Sequence, residues 1–415
     1  MAQKRPRVAL VWAQFAAYHV DRCEAVAQRL NGKADVIAIE VASASKAYFW
    51  EPSEALENCR KITLFPDAGY EGIGEWRRFA ALLRATWRCS HVFVGIGYNE
   101  RAIIALSWLL RLLGVSVIAM SDSKFEDRNR SALFELAKSL LLLPYRAAIV
   151  ASGRSIAYFR FLGFRKRQVM PGYDTVRIER IQSAIAQASA AGPVPFAERK
   201  IVFVGRFIDE KNLPTLIAAY AIYVSRCGSS ARRLVLAGTG ANEQAIRELV
   251  SSHGIGDRVE FPGYLASDEV SRLYARALVL VLVSASETWG LVVNEALAAG
   301  VPSLVSTVAG ARDLLVRNLV NGAVVEHGCA DSIARALAMI SRDEESWHAM
   351  CRASADRAWM GDVIVFADAA EALVIRASPE ASRRLAIIAD ELAAANARDM
   401  SARVDETCAN SGRLA

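Results

Sequence analysis

Two glutamates, Glu287 and Glu295, stand with seven residues between them, on either side of the step Gly290-Leu291-Val292. The first follows the apolar run that ends at Val283, and the second lies on a stretch of helical spacing over 291–299. A parallel strand handing over to a helix is a common binding position in open α/β sheets. A carboxylate there accepts hydrogen bonds from the hydroxyls of a sugar or a ribose. The free amides of Gly290, Leu291 and Val292 at the helix start attract anions. A glutamate near a helix start also complements the helix dipole without any ligand, so both readings stand at this point.

Upstream, Arg206 follows Gly205 at the end of the run Ile201 to Val204, and Lys211 comes five residues later. Glycine allows a ligand close to the backbone, and two cations at one strand mouth suit a diphosphate as well as they suit plain surface charge. The next apolar run ends in Gly238-Thr239-Gly240, and position 243 is Glu, so the G-x-G-x-x-G fingerprint of dinucleotide binding is not formed. Val259 to Gly263 reads as another strand with a glycine turn. A flat base could lie against the main chain near Tyr264 and Leu265, or the segment could be an ordinary connection.

These residues need a scaffold, and the apolar spacing supplies one. Runs at 8–12, 35–39, 92–95, 115–119 and 147–150 read as strands. Helical spacing falls at 19–30, 73–86, 100–113 and 131–143. The alternation predicts a parallel sheet covered on both faces. Gly192-Pro193-Val194-Pro195 is the clearest breaker, which places a first domain at 1–195. The pattern then restarts, with strands expected at 201–204, 234–237, 259–261, 279–283, 303–305 and 323–325. The expectation is an α/β fold of two doubly wound Rossmann-like domains, 1–195 and 196–375, with a helical C-terminal extension at 376–415.

Hydrophobic residues make up 53% and charged residues 23%, a globular composition rather than a disordered one. The longest apolar stretch, Ala102 to Met120, is split by Gly114 and reads as a helix followed by a strand rather than a membrane span. No signal peptide is read at the N-terminus. Seven cysteines without a C-x-x-C pair point to a reducing compartment, and five scattered histidines give no metal-ligand spacing. Residues 1–195 carry a net charge of +10 and residues 196–415 a net charge of −4. The cluster Arg154, Arg160, Arg165, Lys166 and Arg167 reads either as solvated surface or as contact with anionic lipid headgroups. Nucleic acid is not an expected partner, because no recognition motif accompanies the basic half.

The order Gly205-Arg206, Glu210-Lys211-Asn212, Gly238-Thr239-Gly240, Phe261-Pro262-Gly263-Tyr264, Glu287 and Glu295, then Ala298-Ala299-Gly300-Val301-Pro302, resembles the retaining GT-B glycosyltransferases of family 4. The resemblance is specific over about 200–330 and looser before it. It implies two domains facing a cleft and transfer of a sugar from a nucleotide diphosphate sugar to a glycan or lipid-linked acceptor. It implies no metal and no other cofactor, and an enzyme that is cytoplasmic or peripheral at the inner face of the cell membrane. Position by position, it implies that Arg206 and Lys211 neutralise the donor diphosphate. Glu287 would hold the donor sugar, Glu295 the ribose, and the amides from Gly290 the phosphate oxygens. Val301, Pro302 and Gly310 would shape the loops on the donor side.

The first half departs from the family pattern twice. Ala13 to His19 stands where many members have a Gly-Gly loop, and Ser121-Asp122-Ser123-Lys124 stands where many place a histidine. Asp122 and His19 are therefore candidates for facing the acceptor or the donor sugar, with capping roles as the alternative. The same departures allow a second reading, a non-catalytic partner subunit on this scaffold. A sugar-phosphate type of synthase with a small soluble acceptor is the third.

Overall fold

A computed structural model of the chain describes residues 5–45, 56–127, 130–188, 192 and 194–411, with 396–411 as backbone only. Pro193 of the expected breaker and 412–415 of the expected C-terminal extension lie outside the described residues. The chain divides into two compact units, one made of 1–176 with 363–415 and the other of Arg177–Asp362.

The first unit is built on β1 (Arg7–Trp12), β2 (Asp35–Ala44), β3 (Arg60–Gly69), β4 (His91–Val94), β5 (Ser116–Ser121), β6 (Tyr145–Val150) and β7 (Val169–Pro171). All pairings are parallel, in the order β3-β2-β1-β4-β5-β6-β7. Its helices are α1 (Ala17–Arg29), α2 (Glu75–Thr86), α3 (Arg101–Leu112), α4 (Ala132–Leu142) and α5 (Gly153–Phe161). The stretch weighed as a membrane span is thus α3 followed by β5. β3 and β7 were not expected from the apolar runs. They are the two sheet edges and carry Pro66 and Pro171, which an edge strand tolerates and a central one does not.

The second unit opens with α6 (Ile178–Ala188) and holds β8 (Lys200–Val204), β9 (Leu234–Ala237), β10 (Val259–Gly263), β11 (Ala277–Leu282), β12 (Ser303–Ser306) and β13 (Gly322–Val325). Its sheet is again parallel, in the order β10-β9-β8-β11-β12-β13. The helices are α7 (Leu213–Cys227), α8 (Glu243–Ser252), α9 (Ser267–Ala275), α10 (Leu291–Ala298), α11 (Ala330–Arg342) and α12 (Glu344–Ala358). Both sheets have the doubly wound strand order, and β11 is apolar and buried along its whole length, as a central parallel strand must be.

The units divide elsewhere than at the expected 195 and 375. α6 packs on α9 and α10, so the second unit begins before the breaker rather than after it. At the other end the chain returns to the first unit as α13 (Val363–Val374) and α14 (Pro379–Ser411). Phe366, Ala367, Ala369 and Ala370 of α13 share a core with Val8, Leu10 and Phe93. Its polar face is neutralised locally. Arg29 Nη1 lies 2.5 Å from Asp368 Oδ1, Arg384 Nε lies 2.6 Å from Asp368 Oδ2, and Lys33 Nζ lies 2.8 Å from Glu371 Oε1. Buried carboxylates at Asp368 and Glu371 would be costly anywhere those cations could not follow them.

Candidate active site

In the second sheet the strand order reverses between β8 and β11, which pair directly with Val202 opposite Leu280. That switch point leaves a crevice beyond the carboxyl ends of the two strands. The connection after β8 carries Gly205, Arg206 and Lys211, and the one after β11 carries Ser284 and Glu287. Main-chain bonds stitch the two connections together, with the amides of Ala285 and Ser286 donating to the carbonyl of Glu210 at 2.8 and 3.4 Å. Asn212, in the left-handed region at φ 54°, caps the start of α7. Its Nδ2 donates to the carbonyls of Val283 (3.1 Å) and His327 (2.8 Å).

Within this frame Lys211 Nζ is ion-paired with Glu287 Oε2, and Ser284 Oγ donates to the same carboxylate oxygen at 3.1 Å. A Cβ on Gly205 would stand 3.8 Å from Lys211 Cε, and one on Gly290 would stand 3.7 Å from Glu287 Cγ. The glycine turn, the lysine, the carboxylate and the helix start are thus consecutive neighbours. Gly290, at φ 107°, takes the backbone into α10 and supplies no side chain to occupy its free amides. The loop that carries Glu287 is pinned to α10 and beyond. Trp289 Nε1 donates to Asn294 Oδ1 at 2.8 Å, and Asn294 Nδ2 donates to the Gly361 carbonyl at 3.0 Å.

Beside the pair lies a cavity of about 190 Å³ lined by Gly205, Arg206, Gly238, Thr239, Tyr264 and Leu265, among others. Its floor is main chain against main chain. The Gly238 amide donates to the Gly263 carbonyl at 2.8 Å, and a Cβ on Gly238 would fall 1.9 Å from the Gly205 carbonyl oxygen. Tyr264 is exposed at the rim.

Glu295, one turn into α10, takes a bond from Tyr274 Oη at 3.3 Å. Burial raises its carboxyl to about 7, and the charge of Arg180 and the Tyr274 bond hold it from going higher. Neither Glu295 nor the start of α10 lines the 190 Å³ cavity.

The glycosyl transferases group 1 family model matches residues 187–357, a stretch that holds Gly205, Arg206, Lys211, Glu287 and Glu295. The chain is 36% identical over 137 residues to an uncharacterized glycosyltransferase of Methanocaldococcus jannaschii, covering 33% of this chain and 34% of that protein. It is 30% identical over 198 residues to a GDP-mannose-dependent alpha-(1-6)-phosphatidylinositol monomannoside mannosyltransferase of Mycobacterium tuberculosis, covering 46% and 50%. Among solved structures, Anabaena HepE in complex with UDP and glucose matches at TM-score 0.65 and 17% identity, over 89% of this chain and 99% of that one. Residues 187–357 thus match the glycosyl transferases group 1 family, and the chain has the GT-B fold. It spans a third to a half of the length of these two curated relatives.

The remaining candidates lie in the first unit. Asp122 follows β5, and its carbonyl accepts from Ser155 Oγ at 3.0 Å. His19 is buried, and its Nδ1 accepts from the Ala16 amide at 3.0 Å, closing the N-terminus of α1. Burial and the neighbouring Arg22 push its pKa well below the ordinary value, so the ring is neutral. Its capping role is the one observed.

Sequence reasoning passed over Ser284 and Tyr274 in this site and gave Asn212 no role of its own. Ser284 closes the apolar run of β11 and braces Glu287. Tyr274, at the end of α9, faces Glu295. Asn212 precedes Leu213-Pro214, a helix-start signature, and Asn is among the few non-glycine residues that tolerate the left-handed turn found there.

Proposed function

We propose that the chain transfers a hexose from a nucleoside diphosphate sugar to a hydroxyl of a glycan or lipid-linked saccharide, with retention of anomeric configuration and without a metal. The observation that carries this reading is the Lys211–Glu287 pair set between the Arg206 cavity and the start of α10. A departing diphosphate develops negative charge. Arg206, Lys211 and the amides of Gly290, Leu291 and Val292 are cationic or dipolar groups that would meet it, doing the work a divalent cation does elsewhere. Glu287 would accept hydrogen bonds from the donor sugar as Lys211 turns to the phosphates, and Glu295 from the ribose. The base would rest on the glycine floor beneath Tyr264 and Leu265. The UDP bound by HepE and the lipid acceptor in the name of the mycobacterial mannosyltransferase support the donor and acceptor classes.

A thermal-shift screen of nucleotide sugars tests the donor, since a ligand that binds only the folded chain raises its midpoint with the logarithm of concentration over Kd. The preferred donor is then incubated with membrane extract in a chelator, and the product anomer is read by NMR. A transferred sugar of the donor's configuration is expected. Transfer that a chelator abolishes, or an inverted product, overturns the mechanism, and a folded chain that binds no nucleotide sugar overturns the function.

A further inference from the structure

α4 is folded inside out. Ser131 caps it by accepting from the Phe134 amide at 3.3 Å, and over the next three turns the polar residues face inward. Glu135 and Lys138 are 4% and 6% exposed, whereas Leu133 and Phe134 are 81% and 63% exposed. Leu136, Leu140 and the following Leu143 are exposed as well, so outward apolar side chains take up roughly half of the helix circumference.

The inward face is a satisfied polar knot. Lys138 Nζ donates to Tyr158 Oη at 2.6 Å, Tyr158 Oη donates to Glu135 Oε2 at 2.6 Å, and Arg130 Nη1 lies 3.2 Å from Glu135 Oε1. Turning α4 over would bury its leucines but strip Glu135 and Lys138 of these partners, so the knot fixes the outward face. The apolar surface extends across this knot. Phe125 stacks edge-on with Tyr158 at 6.0 Å and with Phe161 at 5.9 Å, and both phenylalanines are exposed. Next to Phe161 come Arg160, Arg165, Lys166 and Arg167, all exposed.

We propose that this face of the first unit docks on an anionic lipid bilayer, with α4 lying in the headgroup plane and the basic residues after Phe161 on the phosphates. An apolar face bordered by basic residues is the composition that binds such an interface. Among the described residues no helix is long and apolar enough to cross a membrane. A second copy of the chain fits this face less well. A two-fold contact uses the same patch on both copies, so it would bring two sets of Arg160, Arg165, Lys166 and Arg167 into one interface. Docking goes beyond the transfer reaction and does not depend on it, because it can be read without a donor.

The test is co-sedimentation of the full chain with phosphatidylcholine vesicles, with and without about 30 mol% phosphatidylglycerol, in about 0.1 M salt. Binding to the anionic vesicles, weakened by added salt, is expected. Leu136→Glu with Leu140→Glu should weaken it about tenfold or more. Arg165→Glu and Arg167→Glu should each weaken it ~5-fold or more, while Leu133→Ser serves as a milder second probe of the apolar face. All these sites are exposed, so circular dichroism and the donor-induced thermal shift should stay as in the parent. Binding unchanged in the leucine variants overturns the proposal, as does a chain that ignores both kinds of vesicle. A concentration-dependent dimer that Leu136→Glu dissociates, without vesicle binding, assigns the face to a second copy instead. Loss of the thermal shift in the parent would sink the donor reading and leave the docking result standing.

Discussion

Lys211 and Glu287, 76 residues apart in sequence, form an ion pair at the mouths of the neighbouring strands β8 and β11. The connections that carry them share backbone hydrogen bonds through the Glu210 carbonyl, so the two loops are held together at the main chain. The pair joins a cation proposed for the diphosphate to a carboxylate proposed for the sugar.

That coupling sets the first expectation. Glu287→Ala and Lys211→Ala should each lower kcat/KM by roughly a hundredfold or more, on the order of 3 kcal/mol of transition-state stabilisation. The double variant should lose clearly less than the product of the two factors, because each single change already leaves its partner unpaired. Steady-state kinetics on all four proteins decide it, and near-wild-type turnover in Glu287→Ala would remove the main catalytic assignment.

Arg206 lines the cavity without sharing that pair's geometry. Arg206→Ala should cost about a hundredfold in kcat. Arg206→Lys should recover only part of this, because an ammonium keeps the charge but lacks the fork that grips two phosphate oxygens. Equal rates for the alanine and lysine variants would show that charge at this position does not act on the leaving group.

Glu295 should act on binding more than on chemistry. Glu295→Ala is expected to raise the donor KM severalfold with a smaller change in kcat. With its carboxyl raised to about 7, the ionised fraction falls below that pH, and donor affinity should fall with it. Stability has the opposite dependence. The folded chain holds this proton more tightly than the unfolded chain, so the contribution of Glu295 is fully present below the unfolded value of 4.5 and is lost as pH rises to about 7. Glu295→Gln should therefore melt higher, relative to the parent, at about pH 8 than at about pH 5. Melting curves that differ by the same amount at both pH values would contradict the burial of this group.

The glycine floor is testable without substrate. Gly238→Ala, at φ +137° and with its Cβ 1.9 Å from a carbonyl oxygen, should lower stability by about 2 kcal/mol or more. Gly256→Ala, where nothing lies within 4 Å, is the control and should stay within about 0.5 kcal/mol. Chemical denaturation of the two variants separates them, and equal midpoints would mean that the turns at Gly205 and Gly238 do not meet.

Much of this was legible in the chain. The six strands of the second sheet were marked by apolar runs because parallel strands buried on both faces leave no room for polar alternation. Glu287, Arg206 and Lys211 were legible because glycine turns and charge at strand ends survive as local signals. Edge strands β3 and β7 were not legible, since β3 is largely half-exposed and polar at both ends and β7 is only three residues long, with a proline in each. The partnership of Lys211 with Glu287 was hidden for another reason, because pairing across a sheet depends on strand order, which residue spacing does not encode. The same holds for the return of α13 to the first unit, which rests on Arg29 and Lys33 meeting Asp368 and Glu371 at a distance of more than 330 residues. α4 misled in a third way, as its helical period was plain while its orientation was set by Tyr158, two elements downstream.

The backbone-to-backbone floor under Gly205, Gly238 and Gly263 bears on how the proposed donor site could be retuned. A Cβ on Gly238 would strike the Gly205 carbonyl, and Gly263 has open space but a positive φ, so substitution at either strains the backbone before it reshapes the cavity. If the cavity takes the base as proposed, a change of nucleotide preference would come from the rim, where Thr239, Tyr264, Leu265 and Val270 border it with side chains that can be exchanged.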